Sequence, residues 1–161
     1  MWNRPSALPG RKILFMARLV FEELFPMFKI EGDAIVYDGE TPFKGKYHIL
    51  KEGQKYWVKF RWTQLGDMCY ALAGKWKVNL FFEEMGYKEE VVQPEAILDF
   101  KMEPDIVNEV QLEVDTNALG SGIYKVVGRI LFENPFGVPM PIAAFGDLGM
   151  IEIYTAKFPK P

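Results

Sequence analysis

The chain has 161 residues, of which 49% are hydrophobic and 25% are charged, and its formal net charge is −3. This length suits one ordinary domain rather than two with separate cores, and the composition is that of a globular protein. The net negative charge argues against broad nucleic-acid binding, which needs a basic excess to displace counterions. The 13 Phe, 7 Tyr and 4 Trp residues favour β-strands, because bulky rings pack well on a pleated surface.

The single cysteine, Cys69, excludes an internal disulfide bond and favours a reducing compartment. Arg18, Glu22 and Glu23 interrupt the apolar stretch near the N-terminus, so we expect no secretion signal there. No run approaches the roughly 18 apolar residues that a membrane-spanning helix needs. The sequence therefore predicts a protein of the cytoplasm or of an assembled particle.

Residues 1–40 are predicted to form an N-terminal arm that precedes the main domain. Within the arm, residues 11–25 are predicted to be helical, because Leu14, Phe21 and Phe25 recur on one side at helical spacing. The same segment is rich in Ile, Phe and Val, which favour strands. A strand is therefore the alternative for this segment.

From residue 42 onward, apolar side chains recur with the period of two that is typical of β-strands. Turn residues separate seven predicted strands, at residues 43–50, 55–64, 74–84, 95–103, 108–115, 122–133 and 149–155. This spacing predicts an all-β domain over residues 41–158, an antiparallel sandwich of two sheets. The residues expected to face inward and form its core are Val58, Phe60, Trp62, Trp76, Val78, Leu80, Leu112, Val114, Val126 and Ile130.

The segment from Leu119 to Val126, with the sequence LGSGIYKV, resembles the L-x-x-G-x-Y-x-V corner of immunoglobulin-like and prealbumin-like sandwiches. The resemblance implies a buried Tyr124 whose hydroxyl bonds to upstream backbone. It also implies a core position for Trp76, since immunoglobulin-like domains often keep a tryptophan on the third strand. Position 58 is a valine, like position 126, so the inter-sheet cysteine pair of antibody domains is missing. The resemblance is therefore to the architecture and to no specific family.

His48 and Cys69 are the residue types most often used for acid–base or nucleophilic catalysis, and each occurs once. We interpret His48 as a surface or capping residue near a sheet edge, and Cys69 as a structural thiol without a basic neighbour in sequence. The glutamates within residues 83–90 suggest a calcium site or a catalytic pair, but charges beside turns are usually only solvated. We therefore expect no enzyme, no metal and no cofactor.

Alternation places basic and apolar side chains together on the outer face of the sheet that contains the third, sixth and seventh predicted strands. The apolar members are Phe81, Ile123, Val127 and Leu131, and the basic members are Lys75, Lys77, Lys125 and Arg129. An apolar patch larger than a few hundred Å² usually marks an interface. The predicted helix is expected to cover this face through Leu14, Phe21 and Phe25, either within the chain or across subunits.

These features favour a non-enzymatic structural or protein-interaction module that self-associates or docks into a larger assembly. The alternative is a carbohydrate-binding sandwich, because Trp57 is predicted to lie on the outward face of its strand, where a sugar ring could stack on it. The expected partner is protein, with sugar as the second candidate.

Overall fold

The computed structural model describes residues 15–21, 27–86 and 90–156, which form two β-sheets packed face to face. The strands in these ranges are β1 (Met16–Arg18), β2 (Val20–Phe21), β3 (Lys29–Asp38), β4 (Thr41–Pro42), β5 (Tyr47–Lys51), β6 (Tyr56–Leu65), β7 (Lys75–Glu84), β8 (Glu90–Asp99), β9 (Ile106–Val114), β10 (Gly122–Glu133) and β11 (Pro139–Tyr154). A 3₁₀ turn at Asp67–Tyr70 and a short helix at Thr116–Leu119 complete the described elements. In this part of the chain, no helix is long and apolar enough to cross a membrane.

Sheet A has the strand order β1-β3-β6-β9, with β4 paired to β3. Sheet B has the order β2-β11-β10-β7-β8, with β5 paired to β11. The described ladders are antiparallel except for β5 with β11, which run parallel. The all-β, immunoglobulin-like sandwich is confirmed, as is the expectation that β7, β10 and β11 share one sheet. The described strands number eleven rather than about seven, because four further strands, β1 to β4, precede those that correspond to the predicted set.

Residues 16–21 form two short strands, so the helix predicted for residues 11–25 is wrong for this part of it. β1 pairs with β3 at the edge of sheet A, and β2 pairs with β11 at the edge of sheet B. Ala17 and Leu19 are buried, and their neighbours in sequence are exposed, which is the alternation of a strand. The sheet edges supply backbone hydrogen-bond partners, which outweigh the local helical spacing. Leu14 and Phe25 lie outside the described residues.

β3 occupies an interior position in sheet A, between β1 and β6. Residues 29–38, which the sequence assigns to the arm, therefore belong to the sandwich itself. Gly32 faces Trp62 across the β3–β6 ladder, where a Cβ atom would come within 2.6 Å of the Trp62 Cα atom. The missing side chain of Gly32 allows the two strands to approach closely at this point.

The core between the sheets contains all ten residues that alternation predicts, each buried, so the predicted register is confirmed. Its largest feature is an aromatic cluster around Trp76. The Trp76 ring lies 5.2 Å from Phe132, 5.7 Å from Phe100 and 5.8 Å from Trp62, measured between centroids. Because Trp62 comes from sheet A while Trp76 and Phe132 come from sheet B, the cluster bridges the two sheets.

Tyr124 lies at the start of β10 and is buried, as the resemblance to sandwich corners implies. Its hydroxyl donates to the carbonyl oxygen of Leu119 at 2.5 Å, with the carbonyl of Gly120 at 3.2 Å. Desolvation by burial raises the pKa of Tyr124, so its hydroxyl stays protonated and remains a donor. The side chain therefore ties the preceding helical turn to β10.

We expect Tyr124→Phe to lower the free energy of unfolding by about 1 kcal/mol, the net contribution of one neutral hydrogen bond. Chemical denaturation of the two proteins would measure this difference. Tyr154→Phe is a suitable control, because Tyr154 is exposed on β11. A Tyr124→Phe protein as stable as the parent would mean that the hydroxyl contributes nothing to the corner.

Candidate functional site

The two residues best suited to catalysis, His48 and Cys69, are both buried. His48 lies on edge strand β5 as expected, but it points inward, so its predicted surface position is wrong. Its Nε2 lies 2.8 Å from the Gly45 carbonyl oxygen, and its ring stacks on Phe43 with centroids 4.1 Å apart. Desolvation lowers the pKa of His48, and the hydrogen bond to Gly45 opposes this shift. Burial raises the pKa of the Cys69 thiol, which agrees with its structural interpretation.

The glutamate cluster does not form a described ligand set. Glu83 and Glu84 are consecutive in β7 and therefore project to opposite faces of sheet B. Glu89 and the side chain of Glu90 lie outside the described residues. Within residues 15–21, 27–86 and 90–156, no three His, Cys, Asp or Glu side chains converge on a metal position.

The outer face of sheet B carries the residues that the sequence predicts for an interface, because β7 and β10 are neighbours in this sheet. Phe81 pairs with Val127, and Lys77 pairs with Leu131. Lys75 lies at one end of this face, while Lys125 and Ile123 lie at the other, so all eight predicted strand residues share one surface. We call this surface the sheet B face.

Two of the basic residues of the sheet B face, Lys77 and Arg129, are held by side chains of neighbouring strands. The Lys77 ammonium lies 3.4 Å from a carboxylate oxygen of Glu95 and 3.6 Å from one of Glu133. Arg129 donates to the Asn79 side-chain oxygen at 3.0 Å, and its guanidinium carbon lies 4.6 Å from the centroid of the Phe81 ring. The face is therefore mixed in charge rather than basic.

Further apolar residues extend this surface across neighbouring strands. Besides the predicted Ile123, the large apolar side chains of sheet B that are exposed on this face in the described part of the chain are Val20, Tyr47, Ile49, Ile97, Phe145 and Tyr154. In the strands of sheet A, the corresponding exposed residues in the described part of the chain are Met16 and Val107. Exposed apolar surface is therefore concentrated on sheet B.

Two shallow depressions adjoin each other on the sheet B face, and Lys125 lines both. One, of about 320 Å³, is bounded by Phe81, Val127, Arg129 and Phe145. The other, of about 480 Å³, is lined by residues that include Tyr47, Met85 and Met150. Together they make an apolar groove with charged residues along its length.

The N-terminal segment does not cover this groove in the part that the structure describes. The Phe21 ring packs on core residue Phe28, with centroids 6.0 Å apart, and the Phe21 backbone pairs with Ala144 at the edge of sheet B. The predicted docking of Phe21 on the outer face is therefore wrong, because β2 extends the sheet sideways rather than lying across it. Residues 11–14 and 22–25 fall outside the described ranges.

The outer face of sheet A is polar by comparison. One row across it alternates in charge, because Arg18 pairs with Asp33, Asp33 with Arg61, and Arg61 with Glu109. The Lys59 ammonium lies 3.2 Å from a Glu109 carboxylate oxygen. Such a face is well solvated and presents few groups for apolar contact.

Trp57 lies on the outer face of sheet A, as the sequence predicts. Its indole stacks on the Tyr37 ring with centroids 4.0 Å apart and planes inclined by 5°. The indole N–H donates to the carbonyl oxygen of Gly39, in the turn that follows β3. The ring is therefore held in one orientation.

Comparison with solved structures supports the fold. The chain is similar to the C-terminal domain of Wzt, with a TM-score of 0.51 and 14% identity over 91% of this chain and 81% of that one. It also aligns with a β-glucosidase from Listeria innocua in complex with glucose, with a TM-score of 0.43 and 11% identity. That alignment covers 84% of this chain but spans 16% of the enzyme's length. At such identities, the similarity extends to the sandwich architecture alone.

No protein-family model matches the chain. No curated protein matches it in sequence either.

Proposed function

We propose that the chain is a non-catalytic interaction domain that pairs with a second copy of itself through the sheet B face. The observation that carries this proposal is the concentration of exposed apolar side chains on that face, in contrast to the charged face of sheet A. Contiguous apolar surface of this kind usually marks a protein interface. The burial of both His48 and Cys69 supports a role without catalysis.

The size of the face supports a stable dimer. The four long strands β7, β8, β10 and β11, about 4.8 Å apart and about 33 Å long, together with the shorter β2 and β5 along the edge of β11, give an area on the order of 700 Å². This is about what each partner contributes to a standard protein–protein interface. The apolar residues extend across β2, β5, β8, β10 and β11 rather than standing singly.

The charges of the face support a second copy as the partner. Lys125 pairs with Glu83 across one ladder, and Asp147 pairs with Val127 across the next. Positive and negative groups therefore alternate within a few ångströms of one another, with Arg129 close by. A two-fold contact places a patch against itself, so a patch that carries both signs can be complementary to itself.

The experiment is to measure the molar mass in solution by sedimentation equilibrium for the parent and for Phe145→Glu. Phe145 is 40% exposed on β11, next to the central strand β10, so a carboxylate there would lose its water in the dimer. Arg129, its neighbour across the β10–β11 ladder, already contacts Asn79 and Phe81. We expect a dimer for the parent and a monomer for Phe145→Glu. Ile97→Glu, on the far strand β8, provides a second test if the first variant folds poorly.

Val107→Glu is the matched control, since Val107 is 51% exposed on the outer face of sheet A. It introduces the same charge at an outward strand position and should leave the dimer intact. A parent that stays monomeric up to several hundred micromolar would overturn the proposal. The proposal would also be overturned if Phe145→Glu and Ile97→Glu both remained dimeric.

A further inference from the structure

The Trp57–Tyr37 stack forms the wall of a cleft on the opposite side of the sandwich from the sheet B face. Tyr37 of β3 and Glu113 of β9 are the cross-strand neighbours of Trp57 on either side. Since Tyr37 covers one face of the indole, the other face is turned toward β9. A cleft of about 290 Å³ lies there.

Polar groups of several kinds surround this indole face. Gln111 and Glu113 project from β9, Lys55 precedes β6, and Glu40 belongs to the turn after β3. Among the described interactions of the chain, none of these four side chains is held in an ion pair. The cleft therefore offers an aromatic plane together with an amide, two carboxylates and an ammonium group.

We propose that the Trp57 cleft binds a neutral hexopyranose unit of a saccharide. One face of such a ring presents C–H bonds, which pack against the negative face of an indole. Its hydroxyls both donate and accept hydrogen bonds, so they need both kinds of partner. Gln111 supplies both, while Glu40 and Glu113 accept and Lys55 donates.

The fixed orientation of the indole also supports a ligand site. Trp57 is held by the Tyr37 stack on one side and by the hydrogen bond to Gly39 at its N–H. A side chain that is ordered before binding loses little conformational entropy when the ligand arrives. The two carboxylates against one ammonium disfavour an acidic sugar.

The test uses protein labelled with ¹⁵N at its tryptophan indoles, titrated with hexasaccharides of glucose, mannose and galactose. The indole signal of Trp57 is identified as the one that is absent from the spectrum of Trp57→Phe. We expect at least one hexasaccharide to move that signal in a saturable manner. Calorimetry with the same hexasaccharide should show no binding to Trp57→Ala and an affinity about tenfold lower for Gln111→Ala, the effect of one lost hydrogen bond.

Thr63→Ala is the control, because Thr63 lies on the same strand and face as Trp57 but outside the cleft. Its affinity should equal that of the parent. Tetramethylammonium is titrated in parallel, since a tryptophan beside carboxylates also suits a cation. Movement of the Trp57 signal by this cation alone would overturn the proposal, as would hexasaccharide binding that survives Trp57→Ala or no binding at all.

Discussion

Trp76→Ala is expected to lower the free energy of unfolding by roughly 3–5 kcal/mol, as large-to-small substitutions in a core do. Trp76 is completely buried and contacts aromatic rings from both sheets. Removing the indole leaves a cavity that four neighbouring rings border, and planar rings cannot collapse into it without leaving their rotamers. Urea denaturation, followed by far-ultraviolet circular dichroism, would measure the loss.

Trp57→Ala is the matched control for this result. It deletes the same side chain from a partly exposed position on the outer face of sheet A, where the indole packs mainly on the Tyr37 ring. We expect a decrease in stability clearly smaller than that of Trp76→Ala. Equal decreases for the two variants would mean that the Trp76 cluster does not bridge the sheets as the structure has it.

Gly149→Ala is expected to lower the free energy of unfolding by about 3 kcal/mol. The φ angle of Gly149 is +85°, which costs a residue with a Cβ atom about 1–2 kcal/mol. A Cβ atom would also lie 2.1 Å from the carbonyl oxygen of Lys46, which accepts a hydrogen bond from the Met150 N–H at 2.7 Å. The substitution therefore separates β5 from β11, and the broken hydrogen bond adds about 1 kcal/mol.

Comparison with Gly137→Ala separates the cost of the contact with Lys46 from the cost of the backbone conformation. Gly137 has a φ angle of +76°, and nothing lies within 4 Å of a Cβ atom built there. Gly137→Ala should therefore lower the free energy of unfolding only by the cost of the backbone conformation, about 1–2 kcal/mol. If Gly149→Ala costs no more than Gly137→Ala in thermal or urea unfolding, the proximity of Lys46 has no energetic consequence.

The strands of the sandwich could be predicted where a long run of alternation belongs to a two-layer core. In β6, Val58, Phe60 and Trp62 face inward without exception, so the register follows from the sequence. The segment of β1 and β2 is too short for its strands to be predicted from alternation. Ala17 and Leu19 alternate with exposed residues over only one or two periods, and the strands depend on partners far away in sequence.

The inward direction of His48 follows from the alternation of its own strand. Tyr47, Ile49 and Lys51 are exposed, while His48 and Leu50 are buried, so the pattern of β5 alone places the histidine inside. Histidine is a polar residue and is therefore expected at the surface, but the position of His48 in the alternation of β5 determines the direction of its side chain.

The candidate surfaces could be predicted only along single strands. Alternation gives Phe81 and Val127 their outward direction, but pairing brings Phe145 and Ile97 onto the same face. The neutralisation of Lys77 likewise depends on Glu95 of the next strand. The stack of Tyr37 on Trp57 needs the β3–β6 register, which no local pattern specifies.

The position of β11 has a consequence for how the chain acquires its structure. Along one edge, β11 pairs Phe145 with Val20 and Met150 with Tyr47, so it holds segments from the opposite end of the sequence. The loop-closure entropy for these pairings must be overcome before they stabilise anything, which makes folding slow, on the order of milliseconds to seconds. Among the strands that the structure describes, β2 and β5 pair only with β11, so during synthesis they lack this partner until β11 has left the ribosome. The apolar residues of this edge are therefore exposed longest in the newly made chain, and protection by a chaperone would matter most there.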